Sequence, residues 1–505
     1  MKLYICDPTF RYELEKLCRL FFPFDKIEIL LADGENPPVD APDSVWALRR
    51  EAEGTWALTG RVRIGDRVEQ ADDHMRIKVD TAENDSMAEC ERRLAVLLYE
   101  CFARITHIRP RWGILTGVRP AKLMRRLIDA RGEAAAAAYF EKELLVSPEK
   151  IELCREVGVS EDAITALSRP DSFSLYISIP FCPSRCSYCS FVSHSVEKAG
   201  RLIPGYVELL QREIAYTGRL ASDAGLRLET IYIGGGTPTA ISAEQLSAVM
   251  TAVSRYFDLS CLREYTVEAG RPDTITADKL RAIQAGGATR ISINPQTMED
   301  AVLTAVGRRH TAAETEAAFA LARSLGFSDI NMDLIAGLPS DTPAGFARTM
   351  DRILAMDPES VTIHTLSMKR ASRLSMGGLL PEQEAGRMAE AMVELGGRRL
   401  RAAGILPYYM YRQSKTVGNL ENVGYAKKGH EGLYNVFIMD ETHSILACGA
   451  SAVTKLRDPS STHIERIFNF KYPYEYSSRF DEMTARKDRV RTFYEIYGTQ
   501  ADGGR

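Results

Sequence analysis

Cys182, Cys186 and Cys189 stand in a C-x3-C-x2-C arrangement, three thiols within eight residues. Three thiolates on one short loop hold three irons of a four-iron, four-sulfur cluster and leave the fourth iron without a protein ligand. An open iron chelates the amino and carboxylate groups of S-adenosylmethionine and passes it one electron, which breaks a carbon–sulfur bond and produces a deoxyadenosyl radical. Two other readings compete. Structural zinc would take the same sulfurs with His194 as a fourth ligand. Three unconnected core thiols would need no metal, although Pro183, Ser184, Arg185 and Ser187 make an apolar setting a poor fit. The other seven of the ten cysteines are scattered, and a chain of 505 residues without a secretion signal is not expected to pair them as disulfides.

A second motif, Gly234-Gly235-Gly236-Thr237-Pro238, ends a strand-like run downstream of the cysteines. Without side chains, such a turn exposes backbone N–H and C=O groups to the amino-acid end of a cofactor; a plain tight turn is the alternative. Polar residues recur near the ends of successive apolar runs: Glu268, Gln296, Asp333 and Ser367. Strand tops in parallel α/β folds converge on one mouth, where these groups would bond the ribose, adenine and carboxylate of a single nucleoside ligand. Arg308 carries the charge to pair with that carboxylate.

The elements that must position these residues follow a strand, loop, helix rhythm. Apolar runs at 175–179, 230–233, 265–267, 290–293, 330–335 and 361–366 alternate with helical stretches. Ser242 with Gln245 reads as a capping box, and Gly286-Gly287 and Gly326 as C-terminal caps. Six βα units are too few for a closed eight-stranded barrel, so the sequence predicts an α/β fold with a partial (β/α)6 TIM-like barrel over 171–405. Residues 1–170 form an expected N-terminal α+β domain. Strand patterns at 45–48 and 55–64, broken at Glu53-Gly54 and Gly65-Asp66, suggest an antiparallel meander; helical spacing follows at 88–105, and Ser147-Pro148 starts another helix. Residues 406–505 form an expected C-terminal extension, with 434–438 and 444–448 read as antiparallel strands.

Hydrophobic residues at 45% and charged residues at 26% are ordinary for a folded protein, which excludes wholesale disorder. A net charge of −4 gives no global attraction to nucleic acid or anionic membrane. No uncharged apolar run approaches the roughly 18 residues of a membrane-spanning helix, so a cytoplasmic location without membrane contact is expected.

The stretch Tyr176-Ile177-Ser178-Ile179-Pro180-Phe181-Cys182, the cysteine triplet with Tyr188, the glycine run, and Asn331-Met332-Asp333-Leu334-Ile335-Ala336-Gly337-Leu338-Pro339 resemble the radical S-adenosylmethionine (SAM) coproporphyrinogen III dehydrogenase family, or oxygen-independent coproporphyrinogen III oxidase-like proteins. Glu421-Asn422-Val423-Gly424-Tyr425-Ala426-Lys427-Lys428-Gly429 and Trp112-Gly113-Ile114-Leu115-Thr116-Gly117 resemble its HemZ branch. The resemblance implies a radical SAM core with a [4Fe–4S] cluster on Cys182, Cys186 and Cys189. It maps S-adenosylmethionine contacts to Tyr176, Tyr188, Gly235, Gly236, Thr237, Glu268, Gln296, Arg308, Asp333 and Ser367, with Tyr176 and Arg308 as catalytic side chains. It implies oxygen-independent oxidative decarboxylation of two propionates of coproporphyrinogen III to vinyl groups, a porphyrinogen substrate, and a reductant such as flavodoxin or ferredoxin. The bacterial decarboxylase type has a further cysteine where this chain has Phe191, and a histidine where it has Ser178. A sister branch resembles a haem-binding chaperone with a similar cysteine loop.

A basic segment, Arg104, Arg109, Arg111, Arg119, Lys122, Arg125, Arg126 and Arg131, is broken by the single acid Asp129. A solvated helix face is the plain reading. Gripping a tetracarboxylate is the functional one, and a radical SAM enzyme acting on RNA is the rival. Trp112 is the chief aromatic here, too little for base stacking, so nucleic acid is not an expected partner. Tyr408, Tyr409 and Tyr411 suit an aromatic core better than a porphyrin pocket.

Overall fold

The computed structural model describes residues 1–23, 25–32, 43–52, 54–76, 83–367 and 382–498. They group into two compact units, Met1–Glu156 with Arg412–Leu420, and Val157–Tyr411 with Glu421–Arg505. The segment expected as a C-terminal extension therefore groups largely with the barrel.

The first unit carries a five-stranded sheet of β1 (Lys2–Ile5), β2 (Glu28–Leu31), β3 (Asp43–Ala52), β4 (Thr55–Ile64) and β5 (Arg67–Arg76), in the order β2-β1-β3-β4-β5. The expected antiparallel meander is β3-β4-β5, turning at Gly65 with φ 56°; Glu53 of the other expected break lies outside the described residues. Strand β1 pairs parallel with both β2 and β3, an addition that the sequence patterns did not reveal. The helix Glu83–Thr106 packs on β4 and β5, burying Leu94, Leu98 and Phe102. Gly60 permits that approach, because a Cβ there would lie 2.8 Å from Leu97 Cβ. Much of the basic segment is paired within this unit: Arg109 grips Glu100 at 2.9 and 2.8 Å, and Arg104 meets Glu69 at 3.5 Å. Trp112 is buried beneath the Arg412 guanidinium, 5.1 Å from its ring centre, and offers no stacking platform.

In the second unit the strands are β6 (Ser172–Ile179), β7 (Phe181–Cys182), β8 (His194–Ser195), β9 (Arg227–Gly235), β10 (Glu264–Gly270), β11 (Arg290–Ile293), β12 (Ile330–Ala336), β13 (Ser360–Thr365), β14 (Leu406–Arg412), β15 (Glu421–Ala426), β16 (Ser444–Cys448), β17 (Val453–Arg457) and β18 (Ile464–Phe468). Among the described residues the large sheet runs β14-β15-β13-β12-β11-β10-β9-β6-β16-β17-β18, from β14 at one end to β18 at the other, and the six expected strands lie consecutively within it, all parallel. This is a partial α/β barrel. Strands β7 and β8 form a separate two-stranded parallel ribbon.

Alternation along these strands divides the sheet into two faces. Leu175, Ile177, Ile231, Ile233, Val267, Ile291, Leu334 and Val361 are fully buried. Ile363 faces the helix Glu382–Ala402, where a Cβ on Gly396 would come within 2.5 Å of Ile363 Cδ1. The intervening positions are polar and bond one another: Asn331 Nδ2 donates to Ser292 Oγ at 3.1 Å, while the Ser360 and Thr362 hydroxyls donate to Asn331 Oδ1 at 3.1 and 3.2 Å. The helices between strands start as expected. Ser242 and Gln245 form a complete capping box, and Gly287 and Gly326 take the left-handed conformation, with φ of 87° and 92°.

Two expectations about the C-terminal region are corrected. Residues 434–438 are not a strand but part of the helix Leu433–Asp440. Its first N–H groups, on Leu433 and Tyr434, donate to the Glu264 carboxylate of β10 at 2.6 and 3.4 Å, a tertiary cap that outweighs the strand preference of the aromatic and β-branched residues. Strand β16 is a strand as expected, but it is parallel to β6 and antiparallel only to β17. Beyond it, Glu213 of the helix Ile203–Asp223 is fully buried and accepts from Gly449 N at 2.7 Å, Asn469 Nδ2 at 2.7 Å and Tyr476 OH at 2.6 Å, with Lys487 Nζ at 2.9 Å. The aromatic trio behaves as core: Tyr408 and Tyr409 pack with Ile164, Val436 and Phe437, and Tyr411 lies against that cluster.

Candidate functional site

Strand β6 ends at Ile179, and the chain turns at Pro180 into the cysteine loop. The loop is fastened at both flanks. On one side Gly236 N donates to Ile179 O, and Thr237 N to Phe181 O, both at 2.8 Å. On the other, Ser187 N donates to Val306 O at 3.0 Å and Ser184 Oγ to Gly307 O at 3.2 Å. The glycines are required by closeness. Gly235 sits at φ 109°, and a Cβ on Gly236 would stand 2.6 Å from Phe181 O and 3.0 Å from Cys182 Sγ.

Donors surround the sulfurs. Thr237 Oγ1 lies 3.5 Å from Cys182 Sγ, and Arg271 Nη1 lies 4.0 Å from Cys186 Sγ. Burial pushes the Cys189 thiol up to about 11 and raises Cys182 as well, so ionising these thiols needs a compensating positive charge. The donor set fits a group that accepts three thiolates. A four-iron cluster spreads three thiolates over three metals, which matches three thiols and no fourth on one loop. His194, the fourth zinc ligand of the competing reading, sits on β8 with its ring edge-on to Tyr472 at 5.9 Å.

Around this loop the strand tops bring most of the expected residues together. Arg308 is buried; its Nε donates to Tyr188 OH at 3.0 Å and its Nη1 to the Asn294 carbonyl. Glu268, near the end of β10, accepts from Tyr232 OH at 2.6 Å. Burial first, then the charge of Asp333, lifts the Glu268 carboxyl to about 7, against the opposing pull of that hydrogen bond. For Asp333 burial also pushes upward, but hydrogen bonds from His364, Asn331 and Thr362 and the His364 charge prevail and hold it below the usual carboxylate range. Gln296, at φ 71°, is clamped to β12: its N–H donates to Asp333 O and its carbonyl accepts from Ile335 N, both at 2.9 Å. Tyr176 lies deeper in the sheet, stacked 6.3 Å from Tyr232 and 6.4 Å from Tyr434. Ser367 follows β13, partly exposed.

Sequence reasoning missed Tyr232, Asn331 and His364 on the polar face, and Arg271 and Asp273 just beyond β10. The first three carry a readable signal, being polar or aromatic at alternate positions of strands whose other positions are aliphatic. His364 Nε2 lies 3.9 Å from Asp333 Oδ2, and Tyr411 OH lies 3.5 Å from His364 Nδ1.

Comparison with known proteins bears on the family and the fold. The family model of the radical SAM superfamily matches residues 176–353. The chain is 35% identical, over 96% of both chains, to the oxygen-independent coproporphyrinogen-III oxidase-like protein HemZ of Bacillus subtilis. It is 32% identical to the haem chaperone HemW of the same organism, over 65% of this chain and 88% of that one. Coproporphyrinogen III oxidase (HemN) of Escherichia coli, a radical SAM enzyme, superposes with a TM-score of 0.51 at 21% identity, covering 67% of this chain and 78% of that one, a likeness of fold. Similarity to HemZ along nearly the whole of both chains decides the descent: this chain belongs to the oxygen-independent coproporphyrinogen III oxidase-like radical SAM family, in its HemZ branch, which uses a [4Fe–4S] cluster and S-adenosylmethionine.

Proposed function

We propose that the chain catalyses the oxygen-independent oxidative decarboxylation of coproporphyrinogen III propionates to vinyl groups, with Cys182, Cys186 and Cys189 as ligands of the cluster and the strand tops from β9 to β13 as the seat of S-adenosylmethionine. The observation that carries this reading is the cysteine loop fastened beside a buried polar mouth. When bound, the two groups supply one-electron reductive chemistry at a carbon–sulfur bond. The protein's part is binding and exclusion of water. Gly235, Gly236 and Thr237 offer backbone polar groups to the ligand's amino-acid end, and Arg308 and Tyr188 orient its carboxylate. Asp333, held anionic, accepts from ribose hydroxyls, while Glu268, poised near neutrality, donates or accepts a proton at its carboxyl. Tyr176 and Tyr232 wall the mouth from below.

Haem chaperoning is the second reading, favoured by the similarity to HemW and by Ser178 at the decarboxylases' histidine position. Ser178 is buried, its carbonyl accepts from Tyr206 OH at 2.8 Å, and a Cβ on Gly449 would press within 2.4 Å of that carbonyl. One experiment separates the two. Oxygen-free, cluster-loaded protein given coproporphyrinogen III, S-adenosylmethionine and dithionite is expected to yield vinyl product with deoxyadenosine. Stoichiometric haem capture without decarboxylation would establish the chaperone instead.

A further inference from the structure

The end of β10 builds a cation for which the family resemblance assigned no role. Gly270, at φ 73°, turns the chain out of the strand, and Pro272 starts the single 3-10 turn Pro272–Thr274. Arg271 is thereby left in extended backbone with Asp273 two residues on. The two side chains meet in a bidentate pair, Arg271 Nε to Asp273 Oδ1 at 3.0 Å and Nη2 to Oδ2 at 2.9 Å. That fork spends two of the guanidinium nitrogens and aims the third, Nη1, at the cysteine loop. Nη1 donates to Ser184 Oγ at 2.7 Å and Ser184 O at 3.2 Å, and reaches Cys186 Sγ at 4.0 Å. Arg271 is only 3% exposed, so its charge acts in a poorly screened setting.

We infer that Arg271, aimed by Asp273, is a positioning residue that sets the reduction potential of the cluster through its guanidinium beside Cys186. The inference rests on Cys182, Cys186 and Cys189 being the ligands. Reduction adds negative charge to a cluster and its sulfurs; a nearby cation and an N–H directed at a ligand sulfur stabilise the reduced form, and a nearby carboxylate opposes it. The pair therefore makes opposite predictions for its two members. A residue that merely held the loop in shape would not.

The test uses full-length protein with reconstituted cluster, comparing the unaltered chain with Arg271→Gln, Arg271→Lys and Asp273→Asn by iron and sulfide content and by electron paramagnetic resonance during a redox titration. Arg271→Gln is expected to lower the reduced fraction about tenfold at fixed potential, a negative shift of about 59 mV for one electron. Arg271→Lys recovers part of that shift, and Asp273→Asn moves the potential the other way. Unchanged potentials, or shifts of one sign in Arg271→Gln and Asp273→Asn, would overturn the inference. So would loss of the cluster from both Arg271 variants, which would leave the residue a folding role alone. Failure of the underlying reading looks different: Cys186→Ala would then keep its iron.

Discussion

Two buried clusters of polar groups in the barrel unit invite comparison. At Glu213 every demand is met from within the chain: the carboxylate takes three hydrogen bonds and a lysine partner, and Lys487 Nζ also donates to Ala447 O at 2.6 Å. At the cysteine loop the thiols take their donors from several segments: Thr237 lies 3.5 Å from Cys182 and Arg271 4.0 Å from Cys186, Ser193 also bonds Cys182, and Tyr188 and Arg308 bond Cys186. The first cluster balances one carboxylate against one ammonium and acts as a fastener, whereas the second turns hydroxyl and guanidinium donors toward three thiols on a single loop, the chemistry that suits a bound iron–sulfur cluster.

The comparison can be broken at either end. The largest effect is expected from Cys186→Ala, which should lose most of the roughly four irons of the cluster while the circular dichroism of the chain stays native; retained iron would turn the loop into a second fastener. Next comes Glu213→Gln, which leaves the buried Lys487 ammonium without the carboxylate it pairs with. Denaturant unfolding should report a loss of about 3–5 kcal/mol with iron content unchanged, and a loss below 1 kcal/mol would show the fastener to be dispensable. The smallest effect concerns pH. Glu268 is raised from 4.5 to about 7 in the fold, so the folded state binds its proton more tightly than the unfolded state. Its contribution is intact below pH 4.5, is lost as pH rises through about 7, and is absent above. In metal-free protein Glu268→Gln should flatten the decline of thermal stability across that window; an unaltered decline would assign it to other groups.

The six parallel strands were legible because apolar runs alternate with capped helical stretches, and the cysteine loop because C-x3-C-x2-C confines three thiols to eight residues; the polar face of the strands was read only in part, since Tyr232, Asn331 and His364 sit inside runs that look apolar. What escaped the sequence depends on partners distant along the chain. The Tyr434 segment reads as a strand until the Glu264 carboxylate caps it as a helix. The sense of β16 is decided by β6, and parallel and antiparallel neighbours leave the same local pattern. Arg271 pairs locally with Asp273, but its bearing on Cys186 appears only once β10 stands beside the cysteine loop.

The pairing of β16 with β6 has a consequence in time. As the ribosome delivers the chain, β6 can gain β9 on one side early, but its opposite edge stays open until residues 444–448 emerge. Until then the strand that leads into the cysteine loop presents unpaired amides to other nascent chains. The support of the cysteine loop is thereby complete only after a segment far downstream, β16, has been made and has paired with β6.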